Sequence, residues 1–540
     1  MHRRAIQAGW RAVLAAWLLT ASFAVSQAQE FDVLREAILI AIEHDDASGL
    51  GDRGDEKLID IFIHYEDRGF APIWVDASGP TKKAEDLVSI FERSHEDALF
   101  PGDYGVTQLR VMMGQTDLEG LAALELSLSK ALVLYSGHLS AGRTEPNKIN
   151  SELFLFPDEP NPQNVLDGAR GAPDIGLYAQ SFAPNTPNYV RLKFKLAKYR
   201  KLAANGGWEA IGRGKPLRPG SSDRRIPTIR DRLVMVGDLK AGAHEGDTYD
   251  GALVEAVKQF QGRHGSTPDG VIGPSTIADM NVSAPDRVRQ IEINMERRRW
   301  MVDDLGQTHI FANLADQYMK FVQRAKTLHV AKLIVGQKFS RTPVFSSDLT
   351  YLVVNPFWLI PREEAATVFL PQLQEDPSIL SKKKIRVFAG STEVSPFALD
   401  WGEYSSDNFP FRLRQDPGPD NELGQFEFEF PNDFGVNFHD TPAKALFERE
   451  TRTFGDRSIL IENPMELAEI LISGQGWTRD KIDELVTGNN KRIIKLATPV
   501  PVHLTYLTAW TNKDGSMHFR RDIYERDRIL AAALSRYIAN

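Results

Sequence analysis

Residues Phe438 to Ala468 read FHDTPAKALFERETRTFGDRSILIENPMELA. Within them His439 and Ser458 stand nineteen residues apart. Helices are expected over 443–450 and 465–472, on either side of the turn residues Gly455, Asp456, Arg457 and Ser458. The whole chain contains no cysteine. That excludes disulfides, thiolate metal sites and thiol catalysis.

Upstream of this stretch, from His309, the pattern is that of strands. Leu333 to Val335, Thr350 to Val354, Ile385 to Phe388 and Phe426 to Phe430 are rich in β-branched and aromatic residues. Ile360 to Arg414 interrupts them. Leu370 to Leu380 in that interruption is partly helical in pattern, with Pro371 and Pro377 limiting its length. The alternating Glu427 and Glu429 read as the solvated face of a strand.

The amino-terminal half is different. From Phe31 to about Ala204 apolar residues recur every three or four positions, as in Leu34, Ala37, Ile38, Ala41 and Ile42, which predicts an all-helical unit. These stripes are core positions. Arg213 to Pro227 reads as a loop. Ile229 to Met280 forms a compact unit: an amphipathic helix over 252–261, a tight turn Asp269-Gly270-Val271-Ile272-Gly273-Pro274, and a helix capped at Ser275 or Thr276. Asp286 to Trp300 is a charged connecting helix anchored by Ile291, Ile293, Met295 and Trp300.

At 540 residues the chain is too long for one core. Its net charge of −9 is dispersed, which argues against a nucleic-acid partner. Arg3, Arg4 and Arg11 precede the apolar run Ala12 to Val25, with small residues at Ser26 and Ala28. This reads as a cleaved signal peptide over 1–28, the alternative being an uncleaved anchor. No other stretch is apolar enough to span a membrane once that signal is removed, so an exported, periplasmic protein is expected.

Several stretches, taken in order, carry a family resemblance. Phe62-Ile63-His64-Tyr65, Phe70 to Asp76 and His138-Leu139-Ser140-Ala141-Gly142-Arg143 lead to Val335-Gly336-Gln337, Arg341 to Ser346 and Val354-Asn355-Pro356-Phe357-Trp358. Arg412 to Pro419, Leu423-Gly424 and Pro501 to Asp527 follow. Together with His439-Asp440-Thr441 they resemble the large periplasmic L,D-transpeptidases, cysteine enzymes that cross-link peptidoglycan. The resemblance implies an α+β multidomain chain. Its parts are a helical scaffold domain (29–225), a three-helix peptidoglycan-binding domain (226–283), a linker helix (284–307) and a mainly β catalytic domain (308–540) with a lid at about 360–414.

In such enzymes His-Asp-Thr is followed by Ser-x-Gly-Cys-x-Arg, and the cysteine takes the acyl group of a tetrapeptide stem before a neighbouring stem amine accepts it. Here Gly455 replaces the motif serine, Arg457 the glycine, Ser458 the cysteine and Leu460 the arginine. The resemblance assigns His439 and Ser458 to the base and nucleophile positions, and Trp358, Thr441 and Arg457 to substrate binding. A serine hydroxyl is a much weaker acid than a thiol and depends more on its base and oxyanion donors. The expected reading is a peptidoglycan-binding homologue that has lost catalysis; the alternative is an acyl transferase or carboxypeptidase using Ser458 with His439. Trp358 could stack on a ligand or anchor the lid.

No cofactor motif is present. His439, His503 and His518 are too scattered for a zinc site, so no metal is expected. Expected partners are peptidoglycan glycan and stem peptides, with other cell-wall enzymes as further candidates.

Overall fold

The computed structural model describes residues 32–51, 53–242, 246–302 and 304–536, so the signal-peptide reading of 1–28 lies outside the described residues. Helices dominate up to Ala204, broken by a short hairpin at Val75–Asp76 and Gly79–Pro80. Helix Leu118–Ser140 runs through this unit. It buries Leu121, Leu124, Leu128, Leu132 and Leu139 among helices Gly54–Glu66, Lys82–Glu92 and Pro162–Gly171. Local chemistry sets the helix starts: Thr81, Asp117, Asn161 and Thr186 each accept a bond from a backbone N–H three residues on. Glu125 is wholly buried, yet it accepts from the amides of Ile73, Trp74 and Val75 and from the Tyr65 hydroxyl, which satisfies the carboxyl and pins the hairpin to the long helix.

Helices Ile226–Val236, Gly251–Arg263 and Pro274–Met280 form the small unit around Phe260, Leu233 and Ile277. Gly270, at φ +72, makes its tight turn, and a Cβ there would crowd Val254 at 3.2 Å. The third helix departs from expectation. It begins at Pro274 with no side-chain cap, because proline preorganises the first turn; Ser275 instead meets Arg521 of the β domain at 2.5 Å.

Helix Ala284–Arg299, expected as a charged connector, is instead largely buried and touches all three units. Glu296 accepts from the amides of Arg143 (2.6 Å) and Thr144 (3.1 Å). Arg299 reaches Glu296 at 2.9 Å and the Tyr189 hydroxyl at 2.8 Å. Arg287 donates to the Asp279 carbonyl at 2.9 Å. Asn294 and Thr508 exchange two bonds of 2.8 Å, and Arg297 pairs with Asp527 at 2.5 Å. Charges buried this way are tolerable only because each finds a partner.

The β domain is built on nine strands: β1 (Thr308–Asn313), β2 (Tyr318–Gln323), β3 (Lys326–Gly336), β4 (Ser346–Val354), β5 (Phe426–Glu429), β6 (Phe438–His439), β7 (Thr453–Gly455), β8 (Ile459–Ile461) and β9 (Arg492–Thr505). Their order is β7-β3-β8-β6-β5-β4-β9-β1-β2, and β2 also pairs with β3, which closes the sheet on itself. Most pairings are antiparallel; β6–β8, β7–β3 and β9–β1 are parallel. Leu352, Val354, Phe426, Phe428, Phe438, Ile459 and Ile461 fill the interior. The helix expected over 443–450 is a short 3-10 turn, Lys444–Glu448, because the chain must swing from it into β7. Pro464–Ile472 is the second expected helix.

Between β4 and β5 the chain leaves to build a separate layer. Strands Trp358–Leu359, Phe411–Gln415, Ile385–Ala389 and Thr392–Val394 form a four-stranded sheet. Helical turns from Arg362 to Glu375 and Ser378 to Lys382 cover it, broken at Asp376-Pro377. Leu373, Leu380, Val387, Phe409 and Leu413 give this layer its own core. Among the described residues no helix is long and apolar enough to cross a membrane.

Candidate active site

His439 ends β6, which lies between β5 and β8 and holds the ring in place from both sides. The residue is 8% exposed. Its Nδ1 lies 2.6 Å from the Asp440 carbonyl oxygen. A carbonyl can only accept, so Nδ1 carries the proton and Nε2 is left as an acceptor. Burial holds the imidazole below its ordinary pKa, so it stays neutral and able to take a proton.

The Asp440 carboxylate is held by the amides of Thr441 (2.7 Å) and Gln425 (2.9 Å) and by Lys444. Gly424, at φ +58, makes room for it: a Cβ there would lie 2.4 Å from the Asp440 carboxyl carbon. Thr441 is buried, and its hydroxyl accepts from the Ala443 amide at 3.1 Å.

The turn after β7 is held by the loop after β3. Gln337 donates to the Gly455 carbonyl (2.9 Å), Arg457 to the Ser340 carbonyl (3.3 Å), and the Thr342 hydroxyl to the Arg457 carbonyl (2.8 Å). The Ser340 hydroxyl meets the Asp456 carboxylate. Arg457 is exposed and sits at φ 60, the left-handed region that favours glycine. Arg457 therefore holds a backbone shape that ordinarily suits glycine. Gly455 is fitted to the turn, since a Cβ there would lie 2.9 Å from the Ser458 carbonyl oxygen.

Two features of this turn bear on acyl chemistry. The Ser458 amide donates to the Asp456 carbonyl at 2.7 Å and the Arg457 amide to Ser340, so both amides beside the hydroxyl are occupied. Ser458 and His439 share no hydrogen bond. The residue in register with His439 on β8 is Leu460.

Trp358 is half-buried, edge-on to Phe369 at 6.2 Å and packed on the lid core. The lid reaches the turn: burial, then the charges of Glu422 and Asp456, push the Glu364 carboxyl upward. Glu427 departs from its sequence reading. It is in register with His439 and is half-buried, and burial followed by the charge of Glu429 raises its carboxyl to about 7. The Asn437 amide bonds both Glu427 (2.7 Å) and Glu429 (3.2 Å). Alternation in Phe-Glu-Phe-Glu-Phe gave the faces of β5 but not what covers its glutamate face.

His503 lies apart, on β9, bonded to Ser346 at 2.8 Å and to the Leu305 carbonyl at 3.0 Å. It lines a cavity of about 630 Å³ with Phe154, Arg299, Trp300 and Tyr506, which neither His439 nor Ser458 reaches. Among the described residues no three His, Asp or Glu side chains gather closely enough to hold a metal ion.

Three stretches of the chain match models of known domain families. Residues 61–196 match the family model described as "Scaffold domain", 224–280 that of a "Putative peptidoglycan binding domain", and 307–458 that of the "L,D-transpeptidase catalytic domain". A Haemophilus influenzae protein named "Putative L,D-transpeptidase" is 30% identical over 241 residues, 44% of this chain and 48% of that relative. The chain thus spans about half the length of the relative it matches. With three such matches in order along one α+β chain, it carries a scaffold domain, a peptidoglycan-binding domain and a domain similar to the L,D-transpeptidase catalytic domain.

Proposed function

We propose that this protein is exported, binds peptidoglycan through its small helical domain and the groove under its lid, and has lost the family's transpeptidation. One observation carries the reading: Ser458 stands in the nucleophile slot with no bond to His439 and with both neighbouring amides occupied. A nucleophilic hydroxyl needs a base within reach and free donors for the oxyanion. Intact-mass measurement after incubation with a carbapenem tests it. The expected result is no adduct on the wild-type protein, together with cosedimentation with purified sacculi. A stoichiometric adduct on Ser458 overturns the loss of catalysis, and sedimentation equal to that of an inert control overturns the binding.

A second reading, a serine acyl transferase, is favoured by the neutral His439 with Nε2 free as an acceptor and by the left-handed backbone kept at Arg457. It requires Ser458 to rotate into reach of His439 and its amide to release Asp456. The same mass measurement decides between the two.

A further inference from the structure

Where the small helical unit meets the β domain there is a cleft of about 490 Å³, which neither His439 nor Ser458 lines. One wall is a face of strands β2 and β3. Met319 and Phe321 point into the core, so Tyr318 and Lys320 point out, and their cross-strand partners Lys332 and Val330 share that face. The rest of the lining comes from the loop 265–268 after helix Gly251–Arg263 and from the chain over 447–452. Two bonds tie the units together across it. Arg520 donates to the Arg263 carbonyl at 2.9 Å, and the Ser266 hydroxyl donates to Glu450 at 2.7 Å. The cleft is thus built into the folded chain.

In a chain whose net charge is −9, this cleft has a positive excess. Its three acids are each paired: Asp316 with Arg520 (2.5 Å), Glu448 with Lys332 (3.5 Å) and Glu450 with Arg521 (3.8 Å). Three further cations in the lining, Lys320, Arg449 and Arg452, form no ion pair among the described residues. Lys320 and Arg449 are exposed. Arg452 is buried; it donates to the carbonyls of Leu333, Arg449 and Gln317 and lies over the Tyr318 ring. Those bonds satisfy its donors but set no opposite charge beside it. A second observation is independent of charge. Gln317 also lines the cleft and is 4% exposed. Its Oε1 accepts from the Arg452 amide at 3.0 Å, which fixes the orientation of the side-chain amide and leaves Nε2 as a donor with no acceptor. A buried donor is rarely left so, and one at a cleft wall points to an acceptor on a ligand.

We propose that this cleft is a second contact site for peptidoglycan, which binds a carboxylate of the stem peptide through Lys320, Arg449 and the Gln317 amide. The inference rests on the reading that the protein binds peptidoglycan, and adds a site apart from the lid groove and the chemical group recognised there. A carboxylate accepts from ammonium, guanidinium and amide alike, and charge-assisted bonds of this kind are the stronger ones. A neutral stretch of glycan would leave the three cations uncompensated, and an amine would be repelled by them. Tyr318 and the half-exposed Val330 supply apolar surface for the small side chains next to that carboxylate. The volume suits a short segment of ligand.

The test is calorimetric titration of the full chain with a disaccharide tetrapeptide, and with the same compound after its stem carboxylates are amidated. We expect amidation to weaken binding about tenfold, the scale of a charge-assisted bond. The double variant Lys320→Ala with Arg449→Ala should weaken the free-carboxylate compound to a similar degree and leave the amidated one unchanged. Added salt should bring the wild type toward the double variant, because both cations are exposed. Equal affinity of the wild type for the two compounds overturns the proposal. So does a double variant that binds as the wild type does, which would put the carboxylate in the lid groove, or one that loses as much affinity for the amidated compound. A protein that sediments with sacculi but binds neither compound also overturns it. If neither compounds nor sacculi bind, the proposed function falls and this inference with it. Should the double variant fail to fold, Lys320→Ala alone decides, with an expected loss of about threefold for the free-carboxylate compound only.

Discussion

Arg457 holds a backbone shape that disfavours any side chain, and its neighbours supply the restraint that glycine would not need. Relieving it should help: Arg457→Gly is expected to raise stability by about 0.5–1 kcal/mol, read from denaturant midpoints. Restoring the nucleophile alone should not restore chemistry. With both neighbouring amides occupied, Ser458→Cys should react with carbapenem about 100-fold more slowly than when Arg457→Gly and Leu460→Arg are added, since one oxyanion donor is worth about 3 kcal/mol. Equal rates for single and triple variants would mean the amides are not limiting. Gly455→Ser is the one motif residue expected to hurt, because its Cβ would press on the Ser458 carbonyl. At Gly424 the constraint is tighter still: Gly424→Ala should cost about 2–3 kcal/mol, as it combines a left-handed φ with a clash on Asp440.

Strand β5 links two scales, since one face builds the core while the other lines the groove. Its raised carboxyl has a consequence for stability. A group whose folded pKa lies above its unfolded value of about 4.3 binds more protons folded than unfolded in between, so its contribution falls as pH rises from about 4.5 to 7. Comparing wild type with Glu427→Gln cancels the buried histidines, which act in the opposite sense. The wild type should therefore be relatively more stable at pH 5 than at pH 7.5, by thermal or denaturant unfolding. A constant difference across that range would remove the burial argument.

The sequence made the strand legible through its period of two, and the helical half through its apolar stripes. The flanking His-Asp-Thr motif singled out His439 as the candidate base. It did not reveal that the amides of Arg457 and Ser458 are engaged. Those bonds come from Asp456 and from Ser340, the latter more than a hundred residues away, and no local pattern encodes a partner at that distance. For the same reason Glu427 read as solvated: what lies over it arrives from β4, from β6 and from the residues before β9.

Over the whole molecule, the small helical unit looks detachable in sequence, a compact stretch behind the loop at 213–227. The contacts argue otherwise. His264 stacks on Phe519 with centroids 5.6 Å apart, Arg263 donates to the Met517 carbonyl at 2.6 Å, and Arg521 pairs with Asp279 at 2.9 Å. Deleting 226–283 should therefore lower the melting temperature of the β domain as well as weaken sedimentation with sacculi. Arg299→Ala, which removes the cationic partner of the buried Glu296 carboxylate and the donor to the Asp97 carbonyl, should cost about 3–5 kcal/mol, and the described units should melt in a single calorimetric transition. Separate transitions would show the units to be independent. Helix Ala284–Arg299 belongs equally to all three, and that has a bearing on descent. A recombination event that exchanged any one unit would have to carry matching residues at Asp97, Arg143, Asp279, Thr508 and Asp527, so lineages of this architecture should inherit their parts together and tolerate splicing best in the helix-free stretch 205–225.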